Sequence, residues 1–181
     1  MILLIAGLLL WTFAHYFKRL MPARRAALGD KGRGLVAAAI GVSLLLMIFG
    51  YRWADSIPVW SPPSYFTHIN NLLMLCAFFL FGMSATTGRL RGKMRHPMLM
   101  AVAVWTIAHL LVNGDLASII LFGGMFAWAV GSIALINRAE AWVRPAPGDA
   151  KKDILLVVIT LVSFIVVALI HFALGVSPFG G

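Results

Sequence analysis

The chain of 181 residues is 61% hydrophobic and only 12% charged, whereas soluble domains carry roughly 25% charged residues. This composition excludes an ordinary soluble domain and predicts an integral membrane protein. The formal net charge of +9 does not indicate nucleic-acid binding, because the basic residues lie in short clusters between apolar segments, where they encode membrane topology. The single cysteine, Cys76, lies within an apolar segment, and we expect it to be a small buried residue.

Apolar segments predict an all-α bundle of six transmembrane helices in one domain over residues 1–181. The helices cover approximately residues 2–20, 34–53, 68–86, 96–112, 116–137 and 154–175. The first segment lacks the basic flank and cleavage site of a signal peptide, so we expect it to be retained. In the second helix, Gly34, Gly41 and Gly50 are available for close helix contacts.

The fourth and fifth helices are predicted to form an antiparallel hairpin. The fourth begins with Pro97, which suits a first helical turn, and Asn113-Gly114-Asp115 is a turn signature. We expect Asp115 to cap the fifth helix. The fourth helix is short for a full span.

Charged connections predict the topology. The connections after the first, third and fifth helices hold six, four and four Lys and Arg, which are 14 of the 15 basic residues. The connection over residues 54–67 is instead rich in Pro and carries Trp60 and Tyr65, which are typical of the membrane interface. The basic connections therefore face the cytoplasm, and both termini lie on the other side.

A pentapeptide occurs twice in the chain, with four of five positions identical. Trp11-Thr12-Phe13-Ala14-His15 lies in the first helix, and Trp105-Thr106-Ile107-Ala108-His109 lies in the fourth. A Trp and a His four residues apart share one helix face. Each His could be a structural residue, but an ionisable side chain within an apolar span is costly and points to a functional site. Two such histidines indicate a shared ligand.

Haem is the ligand that this composition favours. The chain has five histidines, nine Met and twelve Phe, and axial ligation of haem needs neutral imidazoles in an apolar pocket. No Cys-x-x-Cys-His occurs, so any haem would be of b type. The sequence also has no His-Glu-x-x-His and no Gly-x-Ser-x-Gly, which argues against a zinc protease or a serine hydrolase.

Three motifs give the chain a family resemblance. They are Arg95-His96-Pro97-Met98-Leu99, Trp105-x-x-Ala108-His109-Leu110, and Asn113-Gly114-Asp115-Leu116-Ala117-Ser118 followed by Phe122-Gly123. With Ala14-His15 and the basic connection after it, they resemble the NnrU family over the chain up to about residue 137. The resemblance implies a bacterial inner-membrane protein associated with denitrification, in nitrite and nitric oxide metabolism, without an agreed biochemical activity.

The same domain is similar to plastid zeta-carotene isomerase, a haem b protein that isomerises a carotenoid double bond when its iron is reduced. That similarity implies His15 and His109 as haem ligands, with Trp11 and Trp105 beside the cofactor. Where the isomerase has a cysteine that exchanges for a ligand, this chain has Thr106. This difference argues against a cysteine-based ligand switch and against isomerase activity.

Helix depth leaves the ligand pair open. His15 lies three residues before Lys18 at the cytoplasmic end of its helix. His109 lies about twelve residues into its helix, roughly 18 Å deeper at 1.5 Å per residue. His68 and His171 are predicted toward the outer face, as is His109, so either could replace His15 as its partner.

Three functions remain open. The leading hypothesis is a haem b protein with a redox or nitrogen-oxide role in denitrification; besides the lipid bilayer, its partners would be nitrite or nitric oxide reductase components or quinol. The second is a membrane methyltransferase, because Arg95-His96-Pro97 also resembles an element that helps bind S-adenosylmethionine in such enzymes. Those enzymes carry a paired-glutamate motif further on, where this chain has only Arg138-Ala139-Glu140. The third is a non-enzymatic assembly factor for a nitrite or nitric oxide reductase.

Overall fold

The computed structural model describes residues 1–179, which form helices joined by loops. The α-helices are α1 (Ile2–Leu20), α2 (Pro22–Ala27), α3 (Lys31–Arg52), α4 (Phe66–Ala85), α5 (Pro97–Val112), α6 (Leu116–Ala139) and α7 (Lys151–Ala173), with a short 3-10 helix at Leu90–Lys93. All six predicted helices are present, with ends within about three residues of the predicted ones. The all-α prediction is confirmed.

Most of these helices suit a membrane. Among residues 1–179, five helices (α1, α3, α4, α6 and α7) are long and apolar enough to cross one. Helix α5 has 16 residues and is about 24 Å long, shorter than the roughly 30 Å of a bilayer core. Outside its contact with α4, α7 exposes large apolar side chains such as Val158, Leu161 and Ile165, as expected of a helix that faces lipid. The chain is therefore built as a multi-pass membrane protein.

Helix α2 was not predicted. Basic residues and a proline in this segment were interpreted as a loop, but Pro22 lies in the first turn of a six-residue helix, where its fixed φ is favourable. The helix ends before Gly29, whose φ of +52° is one that glycine adopts without steric cost. This turn starts α3 directly, at Lys31.

The chain divides into two units. The first unit comprises Met1–Trp60 and Gly114–Ala139, and the second comprises Ser61–Asn113 and the chain from Glu140 onward. The first unit holds α1, α2, α3 and α6, and the second holds α4, α5 and α7.

In the first unit, glycines bring α1 and α3 into backbone contact. A Cβ on Gly50 would overlap the backbone of Leu4, and one on Gly7 would lie 2.8 Å from the backbone nitrogen of Met47. The predicted close contact at Gly50 is confirmed. The predictions for Gly34 and Gly41 are wrong, because neither has an atom within 4 Å of an added Cβ: helical periodicity places them away from the α3 face that meets α1.

In the second unit, α4 packs against both α5 and α7. Helices α4 and α7 run antiparallel, since Gly82 packs against Leu156 while Phe78 meets Phe164, with ring centroids 6.2 Å apart. Cys76 is exposed and borders an apolar groove between these two helices. The prediction that Cys76 is buried is therefore wrong, because the groove between α4 and α7 leaves its side chain uncovered.

The two kinds of glycine in α3 give a stability prediction. We expect Gly50→Ala to destabilise the first unit by about 1–3 kcal/mol, the usual cost of overpacking, because its methyl group must separate α1 from α3. Gly41→Ala is the matched control, since it should be neutral or stabilising by up to about 1 kcal/mol through helix propensity. Unfolding of the purified protein in mixed micelles of increasing denaturing-detergent content, followed by circular dichroism, measures both. Equal stability of the two variants would contradict the observed α1–α3 contact.

Candidate functional site

His15 has a defined hydrogen bond within α1. Its Nδ1 lies 2.8 Å from the backbone oxygen of Trp11, one turn earlier. A carbonyl oxygen only accepts hydrogen bonds, so Nδ1 carries the proton and donates. In the neutral imidazole the lone pair is therefore on Nε2, which is the form that ligates a metal.

Two indoles hold this imidazole in place. Trp11 lies with its ring centroid 4.3 Å from that of His15, and Trp128 of α6 meets the same imidazole edge-on at 4.9 Å. The two indoles contact each other at 5.4 Å. The hydroxyl of Tyr16 donates to the backbone oxygen of Trp128 at 2.8 Å, which ties α1 to α6 beside the site. We call Trp11, His15 and Trp128 the indole–imidazole cluster.

Sequence reasoning missed Trp128. Tryptophans of membrane proteins concentrate at the interface, whereas Trp128 lies near the middle of α6. That mid-helix position is the signal in the sequence that marks Trp128, whereas each pentapeptide marks only residues within one helix. Only the packing of α6 on α1 brings Trp128 to His15.

The cluster also contains polar groups without partners. Among residues 1–179, the indole nitrogens of Trp11 and Trp128 are buried and have no hydrogen-bond acceptor, and Trp128 is only 8% exposed. A buried donor left unsatisfied costs about 1–3 kcal/mol. Two such donors beside one imidazole fit a ligand that brings acceptor atoms.

The second pentapeptide repeats the local geometry in the second unit. The Nδ1 of His109 lies 3.0 Å from the backbone oxygen of Trp105, so Nδ1 again carries the proton. The rings of Trp105 and His109 have centroids 5.3 Å apart. Thr106 is fully buried, and its hydroxyl donates to the backbone oxygen of Ala103 at 2.8 Å. That bond gives the hydroxyl a local structural role.

His171 lies in the same unit as His109, in the last turn of α7. Its Nδ1 lies 2.8 Å from the backbone oxygen of Val167, the arrangement already described for the other two imidazoles. The antiparallel register of α4 and α7 places His171 at the level of Asn70, whose buried Oδ1 has no donor among residues 1–179. His68 is exposed at the start of α4.

The imidazole nitrogens of these histidines suit haem better than a bare metal ion. Among the described residues, no three His, Cys, Asp or Glu side chains are grouped to hold a metal ion. Haem iron already has four porphyrin nitrogens and takes only one or two axial imidazoles. His15 belongs to the first unit, and His68, His109 and His171 belong to the second. The pairing of His15 with His109 stays a prediction.

A family model for NnrU protein matches residues 3–178, which is nearly the whole chain. The chain belongs to the NnrU family. The predicted resemblance is confirmed, and it extends beyond residue 137 to the end of α7. No curated protein and no solved structure shows significant similarity to the chain.

The Arg-His-Pro motif of this NnrU-family chain lies at the start of α5. His96 occupies the N-cap position, but its side chain makes no capping hydrogen bond. A guanidinium nitrogen of Arg95 donates to the backbone oxygen of Glu140. Nearby, Nε of Arg144 donates to the backbone oxygen of Gly92 at 2.9 Å. These bonds tie the motif to the segment that follows α6.

The Asn-Gly-Asp motif caps α6, as predicted. Asp115 Oδ1 accepts from the backbone N–H of Ser118 at 2.9 Å, and Oδ2 accepts from the Ser118 hydroxyl. Tyr51 of α3 reaches the same hydroxyl at 2.9 Å. The backbone of this turn also pairs with residues 57–60: Val59 N–H donates to Gly114 O at 2.8 Å. The motif is thus a structural junction of the first unit.

Hydrogen bonding sets the ionisation of this junction. Partial burial by itself raises the pKa of Asp115, but the hydrogen bonds from the side chain and backbone of Ser118 outweigh it and hold the pKa below its ordinary value. A carboxyl group whose folded pKa is lowered stabilises the fold above its unfolded pKa, and the contribution is lost as the pH falls through the folded pKa.

We therefore expect Asp115→Asn to flatten the acid side of the stability profile. Asparagine is as good an N-cap as aspartate, so stability at neutral pH should change little, while the decline of the wild type below about pH 4 should be reduced. Thermal unfolding in detergent, measured from pH 3 to 7, tests this. Asp55→Asn, at an exposed acid, should keep the wild-type profile. Parallel profiles for the wild type and Asp115→Asn would show that Asp115 is not stabilised as a carboxylate.

Proposed function

We propose that this NnrU-family protein binds haem b through imidazoles within its helices, and that it has a redox or nitrogen-oxide role in denitrification. The observation that carries the proposal is the hydrogen bond from Nδ1 to the backbone carbonyl one turn earlier, made by both His15 and His109. This bond leaves the Nε2 lone pair for iron in each case. Family membership supports the denitrification part of the proposal.

We place the protein in the bacterial inner membrane with six crossings and both termini on the non-cytoplasmic side. The distribution of 14 of the 15 basic residues over three alternate connections supports this topology. In it, α5 crosses as the short sixth span, and its length of about 24 Å is met by local thinning of the bilayer or burial among neighbouring helices.

The proposed axial ligands are His15 and His109, with His171 and His68 as alternatives for the partner of His109. His171 is the stronger alternative, because it lies in the same unit as His109 and its Nδ1 makes the same contact with a carbonyl one turn earlier. His68 has the weakest claim, since it is exposed at the first turn of its helix.

When bound, the haem would supply one-electron chemistry and an iron to which nitric oxide binds. The chain's own residues would do the rest. The Nδ1–H to carbonyl bond fixes each imidazole ring and raises its basicity as a ligand, and the apolar helices exclude water. The unpartnered indole N–H groups of Trp11 and Trp128 would donate to acceptor oxygens, such as the two haem carboxylates. Quinol or a nitrite or nitric oxide reductase component would exchange electrons with it.

The test is an absorption spectrum of protein purified after haem-supplemented expression, oxidised and then reduced with dithionite. We expect a low-spin b-type spectrum in the wild type, and its loss in His15→Ala and in His109→Ala, because each would remove an axial ligand. His96→Ala is the control and should keep the spectrum. A colourless wild type would overturn the haem proposal.

The same set of variants assigns the partner. A low-spin spectrum retained in both His15→Ala and His109→Ala would rule out the leading pair. Loss in His109→Ala and His171→Ala, with retention in His15→Ala, would instead assign both ligands to the second unit.

A separate prediction concerns Trp128. Trp128→Phe keeps an aromatic ring beside His15 and removes the N–H. A hydrogen bond to a charged group contributes about 1.5–3 kcal/mol, so we expect haem affinity to fall by roughly ten- to a hundredfold, measured by transfer of haem to an excess of apomyoglobin. Trp53→Phe, at a residue 69% exposed, should leave the affinity unchanged. Equal affinities in the two variants would mean that the Trp128 N–H does not contact the cofactor.

A methyltransferase is the second candidate, because Arg95 of the Arg-His-Pro motif binds the backbone of Glu140. The motif thereby meets the segment in which the related enzymes carry their paired glutamates. Isothermal titration of the haem-free protein with S-adenosylmethionine tests it. Binding by a colourless protein, abolished in Arg95→Gln, would support methyl transfer, whereas a haem spectrum without such binding would exclude it.

A further inference from the structure

A basic cavity lies at the corner formed by the end of α1, the short helix α2 and the start of α3. Its volume is about 530 Å³, and its charged lining consists of Lys18, Arg25, Asp30 and Arg33. We call it the corner cavity. It lies wholly within the first unit, in the basic connection after α1, and its lining includes no residue of the two pentapeptides.

The guanidinium of Arg25 is held in place before any ligand arrives. Its Nη1 donates to the backbone oxygen of Gly29 at 3.1 Å, which takes one of its five N–H groups. The group also lies against the start of α3, where Gly32 is buried and a Cβ on Gly32 would be 2.6 Å from Nη1. The absence of a side chain at Gly32 therefore makes room for the guanidinium, and its remaining donors are available to a ligand.

The charge of the cavity selects an anion. Three of its four charged lining residues are basic, and the one acid, Asp30, lies 3.8 Å from Arg33 and offsets part of that charge. The whole segment over residues 18–33 holds six basic residues against Asp30. Arg and Lys side chains together favour phosphate oxygens, which Arg can bind through two parallel N–H groups.

The location of the cavity indicates that the phosphate belongs to a lipid headgroup. Helix α1 ends at Leu20 and α3 begins at Lys31, and both are long and apolar enough to cross a membrane, so the cavity lies at a membrane boundary. Leu20 and Leu35 flank it in the sequence and are 59% and 57% exposed. A headgroup in the cavity would therefore place its acyl chains beside exposed apolar side chains. Basic pockets at such boundaries bind anionic lipid headgroups.

We propose that the corner cavity is a binding site for the phosphodiester headgroup of an anionic phospholipid, with Lys18, Arg25 and Arg33 as its contacts. This site is independent of haem. It fixes the α1–α2–α3 corner against the surface of the bilayer, at the end of the helix that carries His15.

Native mass spectrometry of the full chain, released from detergent after titration with phosphatidylglycerol or phosphatidylcholine of equal chain length, tests the proposal. Each basic residue near an anionic surface contributes about fivefold in affinity. We therefore expect Arg25→Gln with Arg33→Gln to weaken the first phosphatidylglycerol adduct at least about tenfold. The matched double variant Arg24→Gln with Lys31→Gln removes the same charge from the same two helices at residues that do not line the cavity, and should weaken the adduct less than Arg25→Gln with Arg33→Gln does.

The outcomes separate a site from a diffuse charge effect. Equal weakening in the two double variants, or equal affinity of the wild type for the two lipids, would overturn the proposal. Competition by millimolar inorganic phosphate that removes the phosphatidylglycerol adduct would assign the cavity to free phosphate instead of lipid. Arg25→Lys keeps the charge but loses the paired N–H groups of the guanidinium, so it should bind phosphatidylglycerol more weakly than the wild type and more strongly than the double variant. Circular dichroism of each variant checks that the helices of the corner remain folded.

Discussion

The hydrogen bond between an imidazole Nδ1 and the carbonyl one turn earlier is the interaction on which the proposed chemistry depends. In an apolar helix a histidine must satisfy its N–H group locally, because lipid offers no acceptor. The i−4 carbonyl is the nearest acceptor, and its use fixes both the tautomer and the direction of Nε2. His15, His109 and His171 all make this bond. The hydrogen bond that lowers the cost of placing a histidine in a membrane thus also leaves the lone pair of its Nε2 available to a metal.

The tertiary structure makes the two pentapeptides different. In the first copy, α6 brings Trp128 against the imidazole of His15, so two indoles enclose it. In the second copy, the same unit holds another imidazole with the same Nδ1 hydrogen bond, that of His171. Nearly identical local sequence, with four of five positions the same, therefore sets the same tautomer in two different surroundings. The surroundings of His15 supply hydrogen-bond donors, the indole N–H groups of Trp11 and Trp128. The unit that holds His109 supplies a second potential ligand, His171.

The sequence was sufficient to predict structural features that depend on a single segment of the chain. The apolar segments predicted the five long helices and the shorter α5, and the chemistry of Asn113-Gly114-Asp115 predicted the turn and the cap at Asp115. Residues that act through packing were harder to predict. Trp128 joins the cluster only because α6 lies on α1. The sequence alone does not distinguish Gly41 from Gly50, because only the fold defines the face of α3 that meets α1.

The basic residues also show the difference between what the sequence predicts and what depends on packing. Counting Lys and Arg along the chain is enough to predict which connections face the cytoplasm, and the count treats Arg24 and Arg25 alike. The fold separates them, because α2 and the left-handed Gly29 turn Arg25 toward the start of α3 while Arg24 stays exposed. A topology signal read from composition can therefore also contain a specific site. Only a corner built from Gly29 and Gly32 converts one of two adjacent arginines from a general charge into a positioned guanidinium.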